Sequence, residues 1–302
     1  MRFFCGLLLA SLASACAIDT TEADDEDGEE VSLTESELST SAKIEVVQFN
    51  PYYGGMYPKW AYTQPKPHSL PHTYETAETF SSLLRQRHPN AAVIGMEEID
   101  NAGVAEEMRK RLGNGWRVHW YGGANQTGSA IYWRDDLVTF EKDLGKHAVN
   151  HFDQAHGGDA VMFGGALLAK RGGPRFGFFT GKLTPRTYDG HDDQEKDDEA
   201  RRLMAWIKDV MSPYASSSRI IAVDQNDFYE GLAFNAFAKS FSTAHDATPT
   251  WKSPNTGKWH RYDYVWWDYD GGQKRTGGVV KEEVMGDSGS DHRSVIATVT
   301  LR

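Results

Sequence analysis

The chain has 302 residues, a formal charge of −11 and two cysteines. Two cysteines exclude a disulfide-stapled scaffold, 36 aromatic residues (9 Trp, 13 Tyr, 14 Phe) exclude wholesale disorder, and no apolar run reaches the ~20 residues of a membrane-spanning helix. The charge is unevenly placed: residues 1–42 hold one basic and ten acidic residues, a net −9, which leaves −2 for the rest. The acidity belongs to a terminal segment and does not weigh against a polyanionic substrate for the body.

Arg2, the apolar stretch Phe3–Leu12 and the small residues Ala13-Ser14-Ala15 have the layout of a secretory signal peptide, residues 1–15. Cys16 follows directly, so the same residues also read as a bacterial lipoprotein processing site, although Ala13 stands where such sites usually carry Leu. The expectation is export, either secreted or tethered to the cell envelope through a lipidated Cys16. Residues 16–42 are rich in Asp, Glu, Ser and Thr and read as an acidic, disordered tether, because they bury too little apolar surface to order themselves. Residues 43–302 are then one domain without cysteine, with no visible signal for oligomers.

The body alternates strand-like and helical runs. Ile44–Phe49 predicts a strand, Tyr74–Gln86 a helix, Ala91–Gly95 a buried strand running into Met96-Glu97-Glu98, and Val104–Leu112 a short helix. Trp116–Trp120, Ser129–Trp133, Val161–Ala169 and Phe176–Thr180 predict strands, the last two joined by a Gly172-Gly173 turn. Glu199–Met211 predicts a helix, and Arg219–Val223, Tyr262–Trp267 and Ser294–Val299 predict strands. Short strands interleaved with helices indicate a mixed α/β protein.

Several of these strands end on acidic or amide residues: Asn50, Glu97-Glu98 and Asp224-Gln225-Asn226. Arg261-Tyr262-Asp263 and Ser290-Asp291-His292 flank others. Strand ends converge at one edge of a sheet, where ligands bind. Converging carboxylate, amide and imidazole groups suit a hard divalent cation and phosphoester hydrolysis. Magnesium is the expected ion, with manganese or calcium as alternatives; the lack of cysteine disfavours structural zinc.

At these residues the sequence resembles the endonuclease/exonuclease/phosphatase superfamily, which has the deoxyribonuclease-I-like fold. Ala92-Val93-Ile94-Gly95-Met96-Glu97-Glu98 resembles its "DVIGLQE" segment, and Asp224-Gln225-Asn226 its "GDFN". Thr250-Trp251 with Arg261-Tyr262-Asp263-Tyr264 resembles "TW…RIDYI", Ser290-Asp291-His292-Arg293 resembles "SDHRP", and Asn50 matches the Asn after the first strand. The resemblance implies a four-layer αββα sandwich of two mixed sheets. It also implies roles: Glu98, Asn50 and Asp291 would hold the metal, and His292, oriented by Asp263, would contact the phosphate or transfer a proton. Asp224 would position or deprotonate water, and Asn226 would hold phosphate oxygens. The sequence departs from the family's "THL" segment, with Gly181 for Thr and Lys182 for His in Phe179-Thr180-Gly181-Lys182-Leu183. Lys182 could hold phosphate as a point charge but is a poor neutral base.

The expected function is metal-dependent phosphodiester hydrolysis on DNA or RNA. A sphingomyelinase-like or inositol-phosphate phosphoesterase, or a catalytically impaired phosphate-binding module, stands as the alternative. Other features carry two readings each. His147, His151 and His156 are a second metal site or a solvated loop. The acidic run from His191 to Glu199 is a calcium loop or a helix N-terminus. Tyr52, Tyr53, Trp60 and Tyr62 stack on substrate or pack in the core. Lys170, Arg171, Arg175, Lys182 and Arg186 guide a phosphate backbone or decorate a hairpin.

Overall fold

A computed structural model of the chain describes residues 42–51, 70–99, 101–123, 128–149, 162–184, 193–227, 230–244, 248–253, 256–268, 279–286 and 290–301. The export segment and nearly all of the acidic tether lie outside these residues, as do Tyr52, Tyr53, Trp60, Tyr62, His151, His156 and Arg186.

Two sheets carry the fold. The first has six strands in the order β12-β13-β1-β2-β4-β3. These are β12 (Val279–Val284), β13 (Val295–Leu301), β1 (Ala42–Phe49), β2 (Ala91–Ile99), β4 (Gly128–Arg134) and β3 (Trp116–Tyr121). The second has five in the order β11-β8-β7-β6-β5: β11 (Asp263–Asp268), β8 (Ser218–Asp224), β7 (Arg175–Lys182), β6 (Met162–Lys170) and β5 (Val138–Ala148). Each sheet holds one parallel pair, β1 with β2 and β7 with β8; the other pairings are antiparallel. A two-residue-per-strand hairpin, β9 (Trp251–Lys252) and β10 (Trp259–His260), stands apart.

The central strands are apolar on both faces, and the period of two divides their side chains between separate cores. Val46, Val93, Phe176, Phe178, Ile220, Ala222 and Val265 fill the space between the sheets. Their neighbours Val47, Ile94 and Met96 face outward to Phe80 and Leu84 of helix α1 (Leu70–Arg87) and to Val104 and Met108 of α2 (Ala102–Leu112). On the other sheet Phe179, Ile221, Val223, Tyr264 and Trp266 pack on Leu203 and Ile207 of α3 (Asp193–Val210) and on Phe234 and Phe237 of α4 (Leu232–Ala238). Three apolar interfaces thus stack four layers, helix–sheet–sheet–helix, as expected from the sequence.

The elements differ from the sequence reading where charge hides a strand. β5 is an edge strand with exposed Lys142 and Asp143, two register shifts and Gly145 at φ 90°. Charges and bulges on an edge deter pairing with other chains, and they also erase the apolar alternation that reveals a strand. The edge strand β12, with Lys281-Glu282-Glu283, is masked in the same way.

Gly95 explains how closely the sheets meet. A Cβ there would lie 2.4 Å from Thr180 Oγ1 and 2.9 Å from the Ala222 Cβ of the opposite sheet. Gly181, one of the two departures in the "THL" segment, lies under the Phe163 ring, 2.6 Å from where its Cβ would be. A threonine at 181 would need that ring to move.

Candidate active site

The parallel pairs send the C-terminal ends of β1, β2, β7 and β8 to the same edge of the sandwich, and β11 and β13 begin there because they run antiparallel. Register then fixes neighbours: Asp224 is paired with Asp263 on one side and Lys182 on the other. This edge gathers Asn50, Glu97, Glu98, Lys182, Asp224, Asn226, Asp263, Asp291 and His292.

Its centre is a buried carboxylate–imidazole–carboxylate arrangement. His292 Nδ1 lies 2.9 Å from Asp263 Oδ2, and His292 Nε2 lies 3.8 Å from Asp224 Oδ2. Asp263 and Asp224 are 0% and 1% exposed, and His292 4%. Asp263 is fixed from three directions: His292 meets Oδ2, Oδ1 accepts from Gln48 Nε2 at 2.8 Å, and its backbone N–H donates to Thr250 Oγ1. An Asp263 acceptor at Nδ1 leaves Nε2 turned towards Asp224, at a distance longer than a hydrogen bond.

The electrostatics follow from crowding carboxylates in a dry site. Burial opposes a charge on His292, but Asp263, Asp224 and Asp291 outweigh it and hold the imidazole well above its ordinary pKa. Burial raises the Asp224 pKa to about 6; His292 opposes the rise and Asp263 adds to it. Burial also drives Glu97 well above the usual carboxylate range, reinforced by Asp263 and Asp224 and opposed by hydrogen bonds from Thr180 and Gln48. Burial raises the Asp291 carboxyl too, with His292 acting against it and Glu98 in its favour.

Glu98 is the exception. Burial works against its charge, yet Lys182, His292 and Asn50 together bring its pKa below the ordinary value. Lys182 Nζ donates to Glu98 Oε1 in a close ion pair, and Asn50 Nδ2 donates to the same oxygen at 3.2 Å and to Asp224 Oδ2 at 3.0 Å. Glu98 enters the site through an irregularity in β2 between Met96 and Ile99, where it takes a left-handed φ of 55°. Asn226 has a φ of 48°, and its side-chain amide donates to Leu183 O at 2.7 Å. Its carbonyl accepts from the buried Lys196 of α3. Strained non-glycine residues held this firmly mark functional sites. Glu230 shares the strain just before α4, where its carbonyl accepts from Asn235 Nδ2 at 2.9 Å.

The structure therefore brings together the residues proposed for catalysis, Asp224, Asn226, Asp263, His292 and Lys182. The proposed metal set is assembled differently. Glu98 and Asn50 touch, while Asp291 Oδ2 accepts from Trp251 Nε1 at 3.0 Å. Ser290 ties that segment to Asn50 by donating to its carbonyl at 2.8 Å. Among the described residues one group of three, Asp224, Asp263 and His292, places potential ligand atoms within 4.8 Å of one another, and such a group could hold a metal ion. The oxygen-rich donors of the whole site fit a hard divalent cation, but Lys182 already engages Glu98.

Three positions were not foreseen: Gln48, Thr180 and Lys196. Gln48 bridges Asp263 and Glu97 Oε2 (3.0 Å), and Thr180 donates to Glu97 Oε1 at 3.1 Å. For Gln48 and Thr180 the available signal was a polar residue inside an apolar run, Val46-Val47-Gln48-Phe49 and Phe178-Phe179-Thr180; Lys196, among the charged residues that open α3, gave none. Lys170, Arg171 and Arg175 lie at the far end of the β6–β7 hairpin, about 23 Å along β7 from Lys182. They serve Lys43 O, Asp135 and Glu141, so these three decorate a surface hairpin, while Lys182 of the same run lies at the site. His147 stacks on Trp206 at 5.3 Å.

No protein-family model and no curated protein matches the sequence. Solved structures do. An endonuclease/exonuclease/phosphatase from Bacteroides vulgatus superposes with TM-score 0.65 at 12% identity, over 86% of this chain and 100% of that one. A mannosyl-6-phosphatase from Bacteroides thetaiotaomicron gives 0.61 at 14% identity, over 86% and 99%. The human Nocturnin catalytic domain, with a bound sulfate anion, gives 0.60 at 13% identity, over 86% and 95%. The fold is the endonuclease/exonuclease/phosphatase fold. Within that fold the chain sets its acidic and imidazole groups at one strand edge, as described above.

Proposed function

We propose that the chain hydrolyses phosphodiester bonds and that its substrate is nucleic acid. The observation that carries this reading is the buried Asp263–His292–Asp224 arrangement. Between the Asp224 pKa of about 6 and the raised pKa of His292, Asp224 is a carboxylate and His292 an imidazolium. A carboxylate can take a proton from a water attacking phosphorus, and an imidazolium can neutralise or protonate an oxygen of the phosphate. Asp263 holds the ring's orientation and stabilises its charge. A divalent cation held among Glu98, Asn50 and Asp291 would supply further charge neutralisation on the phosphate.

The nucleic-acid reading rests on the β9–β10 hairpin. Trp251 stacks on Tyr262 with centroids 4.9 Å apart, and the His292 ring lies 6.4 Å from Trp251. Trp259 is exposed, and Arg293 lies 3.9 Å over its ring. Aromatic faces beside cations suit stacked bases and their backbone.

The test is turnover of plasmid DNA, RNA, sphingomyelin and a phosphomonoester by the full chain, with magnesium and with chelator. Cleavage of nucleic acid is expected. Turnover of lipid or monoester alone would replace the substrate, and turnover of none would reject the enzyme. With the active substrate, rate against pH should rise through about pH 6 as Asp224 loses its proton. It should fall again well above pH 6.5 as His292 loses its own. A rate that declines from pH 5 to 7 would contradict this assignment.

A further inference from the structure

We propose that Lys182 is a resident cation that competes with divalent metal for Glu98, so that the site binds divalent ions weakly and metal entry requires Lys182 to move. The inference rests on the phosphoesterase reading for its relevance and on geometry for its content. Lys182 is the last residue of β7, and its register opposite Asp224 aims it along the strand edge where the acids converge. Its ammonium contacts Glu98 Oε1, the oxygen that Asn50 also approaches. The side chains of Lys182 and Glu98 are 15% and 7% exposed, so solvent screens the pair poorly. The β2 irregularity turns Glu98 into the site at positive φ, where Asn50 and Lys182 hold the same carboxylate oxygen.

A divalent ion on this oxygen would sit within a few ångströms of the ammonium. Like charges that close in a half-buried site repel strongly. The lysine's flexible stem allows it to swing aside, and the repulsion makes that displacement the condition for metal binding. Lys182, once displaced from Glu98, would be left to meet a phosphate oxygen as a point charge.

Isothermal titration of manganese and magnesium into the metal-stripped full chain tests this without any substrate. Lys182→Met should bind manganese at least ~10-fold more tightly than the parent, and Lys182→Arg, which keeps the charge, should not. Adding Glu98→Gln to Lys182→Met should abolish the gain. Circular dichroism and thermal melting establish that each variant is folded, with Lys182→Gln replacing the methionine variant if that one is not. Affinity that is unchanged or weaker in a folded, uncharged variant overturns the proposal, as does a gain that survives Glu98→Gln. A chain that cleaves no phosphoester yet shows the gain would sustain the competition while removing the proposed function.

Discussion

Replacing His292 with alanine or glutamine should reduce turnover of the active phosphodiester by about 10²–10⁴-fold, the usual contribution of a positioned acid or base. The imidazole is 4% exposed, bonded to Asp263 at 2.9 Å and directed at Asp224, so it is held in one orientation. Glutamine keeps an amide donor for Asp263 but cannot carry the proton. Its loss of rate should therefore match that of alanine, although its fold should suffer less. Thermal melting alongside steady-state kinetics separates the two effects. A folded His292→Gln with near-parental turnover would remove His292 from the chemistry.

Arg219→Met should destabilise the protein by about 3–5 kcal/mol, because it leaves a buried carboxylate without its partner. Arg219 and Asp268 face each other across β8 and β11 and form an ion pair, with side chains 6% and 0% exposed. Burial alone lowers the Arg219 pKa. For a domain of this size the melting temperature should fall by about 10 °C. The double variant Arg219→Met/Asp268→Leu should recover much of the loss, since a well-packed apolar pair can replace a buried ion pair. Asp268 lies five residues along β11 from Asp263, about 17 Å at strand rise, so turnover per folded molecule should hold. A single variant that melts like the parent would show that the pair is not supporting the β8–β11 contact.

The active edge was legible because its acids sit where apolar runs stop. Asn50, Glu98, Asp224, Asp263 and His292 each lie at the end of, or just before, a strand whose apolar run is nearly continuous, so strand ends and chemistry could be read together. Gln48 and Thr180 were hidden for the converse reason. Each stands inside an apolar strand, and its partner, Asp263 or Glu97, lies 215 or 83 residues away. Contacts across such separations depend on how the two sheets face each other, which Gly95 sets through local clearance. The same applies to Lys182. Its identity suggested a phosphate contact, and only the register of β7 with β8 and the turn of β2 reveal the ion pair with Glu98. Helix α4, seven residues for which the sequence reading offered no element, owes its place to packing of Phe234 and Phe237 on Trp266 and to Asp227, whose carboxylate accepts from Ala233 N at 3.0 Å.

On the proposed mechanism, Asp263 sets the charge and orientation of His292 for proton transfer at phosphorus. The pH dependence of turnover in Asp263→Asn, compared with the parent, addresses it most directly. Asp263 is the largest influence raising the His292 pKa, so its neutral replacement should move the alkaline limb of the profile to lower pH and lower the maximum rate. An alkaline limb that stays in place, with the variant folded, would contradict the account.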